Sequence, residues 1–185
     1  CRTTISLPDG NAGSSAASRT GNTLNRIVDD WLDPTKRSGI EAIYGPIANW
    51  DVSSVTNLRY LFYLKGTFNE DISKWETAKV TTLHGTFQGA SAFNTDISKW
   101  ETAKVTTLQD TFSGASAFNI DISMWTLTSV IRMEDIFRDS GFSRALCGGK
   151  WLSLKSQWTS TLGSSTAHYQ CKKLPDGNGE SNSSA

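Results

Sequence analysis

The chain has 185 residues, 37% of them hydrophobic, and its 18 Lys and Arg residues balance 18 Asp and Glu residues. This length suffices for one domain with a hydrophobic core, whereas the neutral balance argues against nucleic-acid binding, which needs a basic surface for the phosphates. No apolar run reaches the roughly 20 residues of a membrane-spanning helix. The sequence therefore predicts no transmembrane segment in this chain and leaves only peripheral membrane association open.

Residues 1–22 are polar and rich in Gly and Ser, so we predict an N-terminal tail that does not fold alone. The chain begins at Cys1 rather than Met, which we interpret as a processed form that has lost any targeting segment. Cys1 could be a free thiol, a disulfide partner or a lipid-modified residue. The pentapeptide LPDGN occurs at 7–11 and again at 174–178. Pro-Asp-Gly is a turn signal, so the two copies could form similar turns, but we favour chance repetition in a polar sequence.

A capping helix is predicted next. Leu24, Ile27, Val28 and Trp31 fall at helical spacing, which is typical of an amphipathic helix. Asn22 or Thr23 can cap its start, and an Asp-Pro pair at 33–34 ends it. A stack of repeats exposes an apolar end, so we expect this helix to cover it.

The central part of the chain repeats itself every 25 residues. Residues 68–92 and 93–117 differ at only four positions, and weaker copies occupy 43–67 and 118–141; we call these four copies the first to fourth turns. In each turn, a short segment rich in Ile and Trp favours extended chain. In the following segment, Val80, Leu83 and Phe87 share one helical face.

These patterns predict an α/β repeat fold. We expect a right-handed, leucine-rich-repeat-like solenoid of four to five turns, each with a short parallel strand and a short helix or 3₁₀ segment. The predicted strands are Asp71–Lys74, Asp96–Lys99 and Asp121–Met124. With its capping helix, this domain spans 23–142.

The repeat unit FNxDISxWxxxxVxxLxxxFxxA resembles that of the BspA-type leucine-rich repeats, catalogued as DUF285. The resemblance covers about residues 24–142, and it includes the entry segment before the first turn. It implies a repeat protein exposed at a cell surface and indicates no activity. Leu58, Leu83 and Leu108 stand where many members have Met, a change that conserves volume.

Residues 143–171 carry apolar side chains without the repeat spacing and are predicted to form a C-terminal cap, followed by a polar tail at 172–185. Cys147 and Cys171 both lie in the cap, so we predict a disulfide between them and an oxidising compartment. The alternative is that all three cysteines are free thiols.

Each repeat position becomes a row of side chains along the stack. We predict that the row Trp75, Trp100, Trp125 is buried rather than a sugar-binding strip, because it keeps phase with the apolar positions. The aspartates of the Asp71 row repel one another at the strand spacing, and either a calcium ion or hydrogen bonds must compensate. We predict hydrogen bonds, no metal and no cofactor. The Thr81, Thr82, Thr106 and Thr107 hydroxyls could form an ice-binding array. His84 and His168 match no catalytic pattern, so no catalytic residue is predicted.

The sequence thus predicts a non-enzymatic protein-interaction or scaffold module, secreted, at the cell surface or in an organelle lumen. Its partner would be another protein or a multi-subunit assembly, and an accessory subunit of a membrane-associated assembly is one alternative. A carbohydrate-binding or ice-binding module is another. We expect contact through the strand side and the tails rather than the helical side. The predicted binding residues are Asp71, Ser73, Asp96, Ser98, Asp121 and Ser123.

Overall fold

The computed structural model describes residues 7–9, 23–146, 149–154 and 156, together with the backbones of two short strands. Its elements are helix α1 (Leu24–Leu32), helix α2 (Arg37–Tyr44), a 3₁₀ turn (Ile47–Asn49), helix α3 (Gly149–Ser153) and strands β1 (Cys171–Lys173) and β2 (Glu180–Asn182). The strands β1 and β2 pair antiparallel. The predicted Cys147–Cys171 bridge lies outside the residues described in side-chain detail and stays a prediction.

Helix α1 confirms the predicted capping helix. Thr23 is its N-cap, and the Thr23 side chain accepts a hydrogen bond from the Arg26 N–H. The helix buries its apolar face, with Trp31 only 1% exposed. Helix α2 was not predicted, although Gly45 at φ 75° and the following proline are a common way to end a helix. That stop signal was the clue available in the sequence.

The four turns stack their aromatic side chains into a continuous core. The Trp75 and Trp100 rings lie parallel within 3°, with centroids 6.2 Å apart, and the Phe87 and Phe112 rings lie parallel within 1° at 5.7 Å. These small angles show that neighbouring turns are barely rotated relative to one another. The buried rings form three rows: Trp50, Trp75, Trp100, Trp125; Phe62, Phe87, Phe112, Phe137; and Phe68, Phe93, Phe118, Phe142.

The predicted burial of the tryptophans is confirmed. Trp75 and Trp100 are 3% exposed and Trp125 is 4% exposed. A buried indole N–H needs an acceptor, and each one finds it in the preceding turn. Trp100 Nε1 donates to the carbonyl oxygen of Ile72 at 3.1 Å, and Trp125 Nε1 to that of Ile97 at 3.0 Å. These bonds fix the register of one turn on the next.

The predicted fold class is wrong. From residue 51 to residue 146, a stretch described throughout, the chain forms neither helix nor multi-residue strand, only turns and single parallel bridges at Asn57, Thr82, Thr107 and Arg132. A leucine-rich-repeat-like solenoid of parallel strands and short helices is therefore not what this sequence forms. Residues 43–141 instead form a stack of four irregular turns of 24 or 25 residues.

Aspartate side chains prevent the predicted strands. The Asp71 carboxylate accepts the N–H of Ser73 at 2.9 Å, and Asp96 and Asp121 bind the N–H groups of Ser98 and Ser123 in the same way. Each bond closes a local turn that competes with strand pairing. The predicted strands Asp71–Lys74, Asp96–Lys99 and Asp121–Met124 are consequently turns.

The predicted helical segments are not helical because their N–H groups alternate between two kinds of acceptor. In the second turn, Gly85 and Phe87 donate to the third-turn carbonyls of Gln109 and Thr111, at 2.9 Å each. Between them, Thr86 donates to Leu83 of its own turn at 3.0 Å. A helix would keep all these donors inside one segment. The first and third turns use the same alternation, so four backbone hydrogen bonds of this kind join each neighbouring pair of these turns.

Two residues outside the repeats replace the missing turn before the first one. Within the stack, Thr81 donates its N–H to Thr56 of the preceding turn. Thr56 has no preceding turn, and its N–H binds the Asp9 carboxylate at 2.9 Å instead. At the neighbouring row, Asn25 of α1 donates from its side-chain amide to the Arg59 carbonyl oxygen at 3.2 Å. The N-terminal cap thus supplies both an acceptor and a donor. The second LPDGN copy lies outside the described residues.

Candidate functional site

The predicted binding residues form an exposed row of turns along the stack. Asp71 and Asp96 are exposed, Asp121 is half-buried, and all three carboxylates are engaged by the serine two residues later. Side-chain and backbone hydrogen bonds from Ser73 lower the pKa of Asp71, and the backbone and side-chain bonds from Ser98 lower that of Asp96. We call these six residues the Asp–Ser row.

The charge repulsion expected along the Asp–Ser row is present but small. The Asp71 charge raises the pKa of Asp96, and this is the smallest of the effects acting on that carboxyl. At Asp96 the hydrogen bonds from Ser98 have a larger effect than this repulsion. In the described parts of the chain, no group of three or more His, Cys, Asp or Glu side chains is arranged to hold a metal ion.

One of the four differences between the twin turns is explained by the N-terminal cap. Glu70 in the second turn stands where the third turn has Thr95. The Glu70 carboxylate accepts a hydrogen bond from Trp31 Nε1 at 3.1 Å and from Arg37 Nη2 at 3.0 Å. Arg37 also lies over the Trp31 ring at 4.2 Å. Glu70 therefore fastens helices α1 and α2 to the stack, a contact that no later turn can make.

The other three differences converge on one face. They replace His84, Gly85 and Gln88 by Gln109, Asp110 and Ser113. All six positions fall in the segments whose N–H groups bridge neighbouring turns. We call the surface formed by the exposed and half-buried side chains of residues 57–64, 82–89, 107–114 and 132–139 the variable face. Sequence reasoning placed these positions on a helical side and preferred the Asp–Ser row, although the differences themselves were the signal that singles the face out.

His84 is the centre of a polar cluster on the variable face. Its Nε2 lies 3.0 Å from the Tyr60 hydroxyl and 3.8 Å from Asp110 Oδ2. Burial, followed by the charges of Arg59 and Arg132, lowers the pKa of His84 to about 4. Burial and the charge of Asp135 raise the pKa of Asp110. At neutral pH the imidazole is therefore uncharged, and its contact with Asp110 is not an ion pair.

The backbone of the variable face adopts the left-handed conformation twice in each turn. Gly85 and Gly89 adopt it in the second turn, whereas Tyr60 and Leu64 adopt it in the first, at φ 54° and 56°. Such a backbone costs a bulky side chain about 1–3 kcal/mol. A Cβ on Gly85 would lie 2.3 Å from the Tyr60 ring. The two first-turn side chains thus occupy the space left open by the glycines of the second turn.

The first turn gives the variable face an aromatic and basic end. The Tyr60 and Tyr63 rings meet edge-to-face at 5.4 Å, and the Arg59 guanidinium lies 5.0 Å from the Tyr60 ring centroid. Leu64 beside them is 64% exposed. Tyr and Arg, together with Trp, are enriched in protein-interface hot spots. This composition is typical of a protein-contact surface.

A shallow groove of about 320 Å³ lies between the first and second turns. Its lining residues are Ala48, Asn49, Trp50, Asp51, Val52, Lys74 and Glu76. Trp50 is only 4% exposed there, so the groove offers no open aromatic surface against which a sugar ring could stack.

Comparison with known proteins gives one result. A family model described as "Mycoplasma protein of unknown function, DUF285" matches residues 36–148, more than half of the chain. No curated protein matches the chain, and no solved structure matches it. The helices in the described part of the chain include none with the length and apolar character needed to cross a membrane.

Proposed function

This chain belongs to the DUF285 family, whose description assigns no function, and we propose from its geometry that it is a non-enzymatic protein-interaction or scaffold module. The observation that supports this best is the placement of the differences between the twin turns. Random divergence after duplication would scatter substitutions over all rows of the repeat. Here three of four differences fall on the variable face and the fourth contacts the N-terminal cap.

The rigidity of the stack supports the same proposal. Aromatic rows run through its core, and inter-turn hydrogen bonds fix the exposed backbone beside them. A partner that binds such a surface orders few additional side chains, which lowers the entropic cost of association. The Asp–Ser row, Asp71, Ser73, Asp96, Ser98, Asp121 and Ser123, remains the second proposed contact surface, together with the tails.

We propose that the module acts outside the cytosol, as a secreted, surface or luminal protein, on the strength of the predicted Cys147–Cys171 disulfide. In this setting it would contact another protein or serve as an accessory subunit of a larger, membrane-associated assembly. Because the variable face combines tyrosines and arginine with acidic residues, a folded protein surface is the best-matched partner chemistry.

The two other candidate functions receive less support from the geometry. Sugar binding would use exposed tryptophans, and the tryptophan row is buried. Ice binding would use free hydroxyls on a flat array. The Thr81 and Thr106 hydroxyls instead donate to the carbonyl oxygens of Thr56 and Thr81, and Ile131 occupies the next position of that row.

The proposal can be tested by cross-linking mass spectrometry on the tagged full chain in extracts of its source cells. One variant neutralises the Asp–Ser row with Asp71→Asn, Asp96→Asn and Asp121→Asn, because asparagine can still close the local turn. A second carries Tyr63→Ala and Arg138→Ala on the variable face. The control is Lys74→Ala with Lys99→Ala, which alters a third exposed row.

We expect one specific cross-linked partner that is lost with one of the two surface variants and retained with the control. A partner that persists with both surface variants would show that neither face binds it. Turnover of a substrate by the purified chain would overturn the non-enzymatic part of the proposal.

A further inference from the structure

The variable face carries a row of side chains whose charge changes from positive to negative along the stack. Positions that repeat every 25 residues place Arg59, His84, Gln109 and Glu134 in one row, from the first turn to the fourth. His84 is neutral at physiological pH, since its pKa lies at about 4. The row therefore begins with a cation, continues with two neutral side chains and ends with an anion. We call it the Arg–Glu row.

Three of the four members have a polar atom that makes no hydrogen bond. These atoms are Arg59 Nε, Gln109 Oε1 and Glu134 Oε2, and solvent does not reach them. Glu134 Oε2 lies 3.5 Å from Arg132 Nε, which is within ion-pair range but makes no hydrogen bond. Buried polar atoms are ordinarily paired, so this row is under-satisfied in the isolated chain. A partner that drew these side chains outward would supply the missing bonds.

Symmetry identifies an occupant with the matching order of charges. When two copies meet face to face about a twofold axis perpendicular to the stack, each row faces its own reverse. Arg59 of one copy then faces Glu134 of the other, and His84 faces Gln109. The contact is made twice, once at each end. A parallel arrangement would instead place Arg59 against Arg59 and Glu134 against Glu134.

A second row of the variable face pairs in the same way. Tyr63 of the first turn and Arg138 of the fourth occupy equivalent positions, so an antiparallel copy brings the guanidinium of one to the ring of the other. Such cation–π contacts are favourable, and the Arg138 side chain is 47% exposed, with its Nη1 3.3 Å from Asp135 Oδ2 of the same chain. At the centre, Gly89 faces Gly114, and neither presents a side chain that would hold the copies apart. Leu64 of one copy faces Asp139 of the other, and this pair adds no ionic contact.

Straight rows are a requirement for this pairing, and the structure meets it. Rings of successive turns stay parallel within 3° for Trp75 and Trp100 and within 6° for Phe112 and Phe137. The angles are larger at the ends, 12° for Trp50 and Trp75 and 18° for Phe118 and Phe142, so over four turns, spaced roughly 4.8 Å apart, a row curves only slightly. The face spans only four turns, so we expect a weak interface at the low end of the size range of protein–protein contacts.

We propose that the variable face is a self-complementary surface through which two copies of this chain associate antiparallel, with Arg59 of each paired to Glu134 of the other. This inference rests on the proposed function only in treating the variable face as a contact surface. The Asp–Ser row is not part of it, so binding of another protein there is independent of the dimer.

Sedimentation velocity of the full chain from ~10 μM to ~1 mM at low salt, where surface charges are least screened, tests the proposal. We expect dimers whose fraction grows with concentration and falls with added salt. Arg59→Glu alone and Glu134→Arg alone should each shift the dissociation constant at least about tenfold, because each places like charges opposite one another twice. Lys99→Glu, on another exposed row, is the matched control and should leave association unchanged.

The decisive measurement mixes the two single variants. Arg59→Glu and Glu134→Arg copies are complementary to each other, so their mixture should form heterodimers more tightly than either variant associates with itself. The double variant with both substitutions in one chain should also regain self-association. Thermal unfolding of each variant checks that the fold is kept. A monomer at all concentrations, a dimer that Arg59→Glu leaves intact, or no rescue in the mixture would each overturn the proposal.

Discussion

Trp100 Nε1 donates a hydrogen bond to the backbone carbonyl oxygen of Ile72, 28 residues earlier in the chain, at 3.1 Å. The same indole stacks on the parallel ring of Trp75 and is buried in the apolar core, so this one side chain contributes both to the core and to the backbone register. Each turn of the stack depends on its neighbour through such a bond.

Trp100→Ala should lower the free energy of unfolding by about 3–5 kcal/mol, because it leaves a cavity in the stack. Trp100→Phe should cost less, about 1–3 kcal/mol, since it mainly leaves the Ile72 carbonyl oxygen without its donor. Urea unfolding followed by circular dichroism measures both. Met124→Ala, at a position that is 83% exposed, is the control. A loss below about 1 kcal/mol for Trp100→Ala would contradict the buried role.

Asp9→Ala should open the N-terminal end of the stack. The Asp9 carboxylate accepts the N–H groups of Thr56 and Asn57 at 2.9 and 2.8 Å, and its removal leaves both without an acceptor. We expect a loss of about 1–3 kcal/mol. Hydrogen exchange read residue by residue should show faster exchange at Thr56 and Asn57, with Thr106 unchanged. Uniformly faster exchange through the third turn would instead indicate global destabilisation.

Gly85→Ala should be destabilising because its Cβ would meet the Tyr60 ring at 2.3 Å. The equivalent position in the third turn holds Asp110 at φ 55°, so the backbone there accepts a side chain. The clash with Tyr60, and not the left-handed backbone alone, should therefore dominate the cost, which we expect to be about 2 kcal/mol or more.

A double-mutant cycle separates the two causes. Tyr60→Ala together with Gly85→Ala should cost clearly less than the sum of the two single substitutions, with a coupling of about 1–2 kcal/mol. Additive costs would assign the effect of Gly85→Ala to backbone strain instead. Urea unfolding of the four proteins provides the comparison.

Acidification should destabilise the fold through His84. Its pKa is lowered from 6.5 to about 4 by burial and by the charges of Arg59 and Arg132. Between these pH values the His84 side chain is protonated in the unfolded chain and neutral in the folded chain. The contribution of His84 to the free energy of unfolding is therefore fully present above pH 6.5 and is lost as the pH falls towards 4. We expect about 1–3 kcal/mol, less than for a fully buried ring because solvent screens part of the charge.

His84→Gln is the matched control for this titration, because Gln109 already occupies the equivalent position. The variant should match the parent near pH 7 and lose less stability between pH 6.5 and 4.5, as measured by thermal unfolding. Carboxylates such as Asp71 and Asp96, with lowered pKa values, lose their contribution only at still lower pH. Identical pH profiles for the two proteins would rule His84 out as the cause.

A Cys147–Cys171 disulfide would close a loop of about 25 residues and contribute ~3 kcal/mol by the chain-entropy estimate. Peptide mapping of the non-reduced protein by mass spectrometry should find both cysteines in one linked peptide pair. Two free thiols would remove the basis for placing the protein in an oxidising compartment. A fatty-acyl mass on the N-terminal peptide would show that Cys1 is lipid-modified.

Sequence patterns sufficed for the repeat, for helix α1 and for the buried tryptophans, because each depends on spacing that is written directly in the chain. They failed for the backbone within each turn. Ile72 and Ser73 favour a strand by residue type, yet the neighbouring Asp71 carboxylate closes a turn. Val80, Leu83 and Phe87 share a helical face, yet the N–H of Phe87 bonds to the next turn instead.

The contact surfaces were harder to predict for a related reason. The Asp–Ser row was predicted as the contact surface because its residues recur regularly. Its hydrogen bonds are local, and an Asp followed two residues later by Ser is enough to predict them. The cluster of Tyr60, His84 and Asp110 brings together residues of three turns. Its members are adjacent only because successive turns lie in register, and that register became clear only with the hydrogen bonds between them.

The backbone hydrogen bonds between inner turns do not determine how many turns the stack contains. Every inner turn receives from the turn before it and gives to the turn after it in the same way, whereas Asp9 and Asn25 serve only the first turn. Duplicating one inner turn would consequently recreate the backbone hydrogen bonds of the existing junctions. Gene duplication could therefore lengthen this protein by whole turns, and each added turn would move the two ends apart by the same distance.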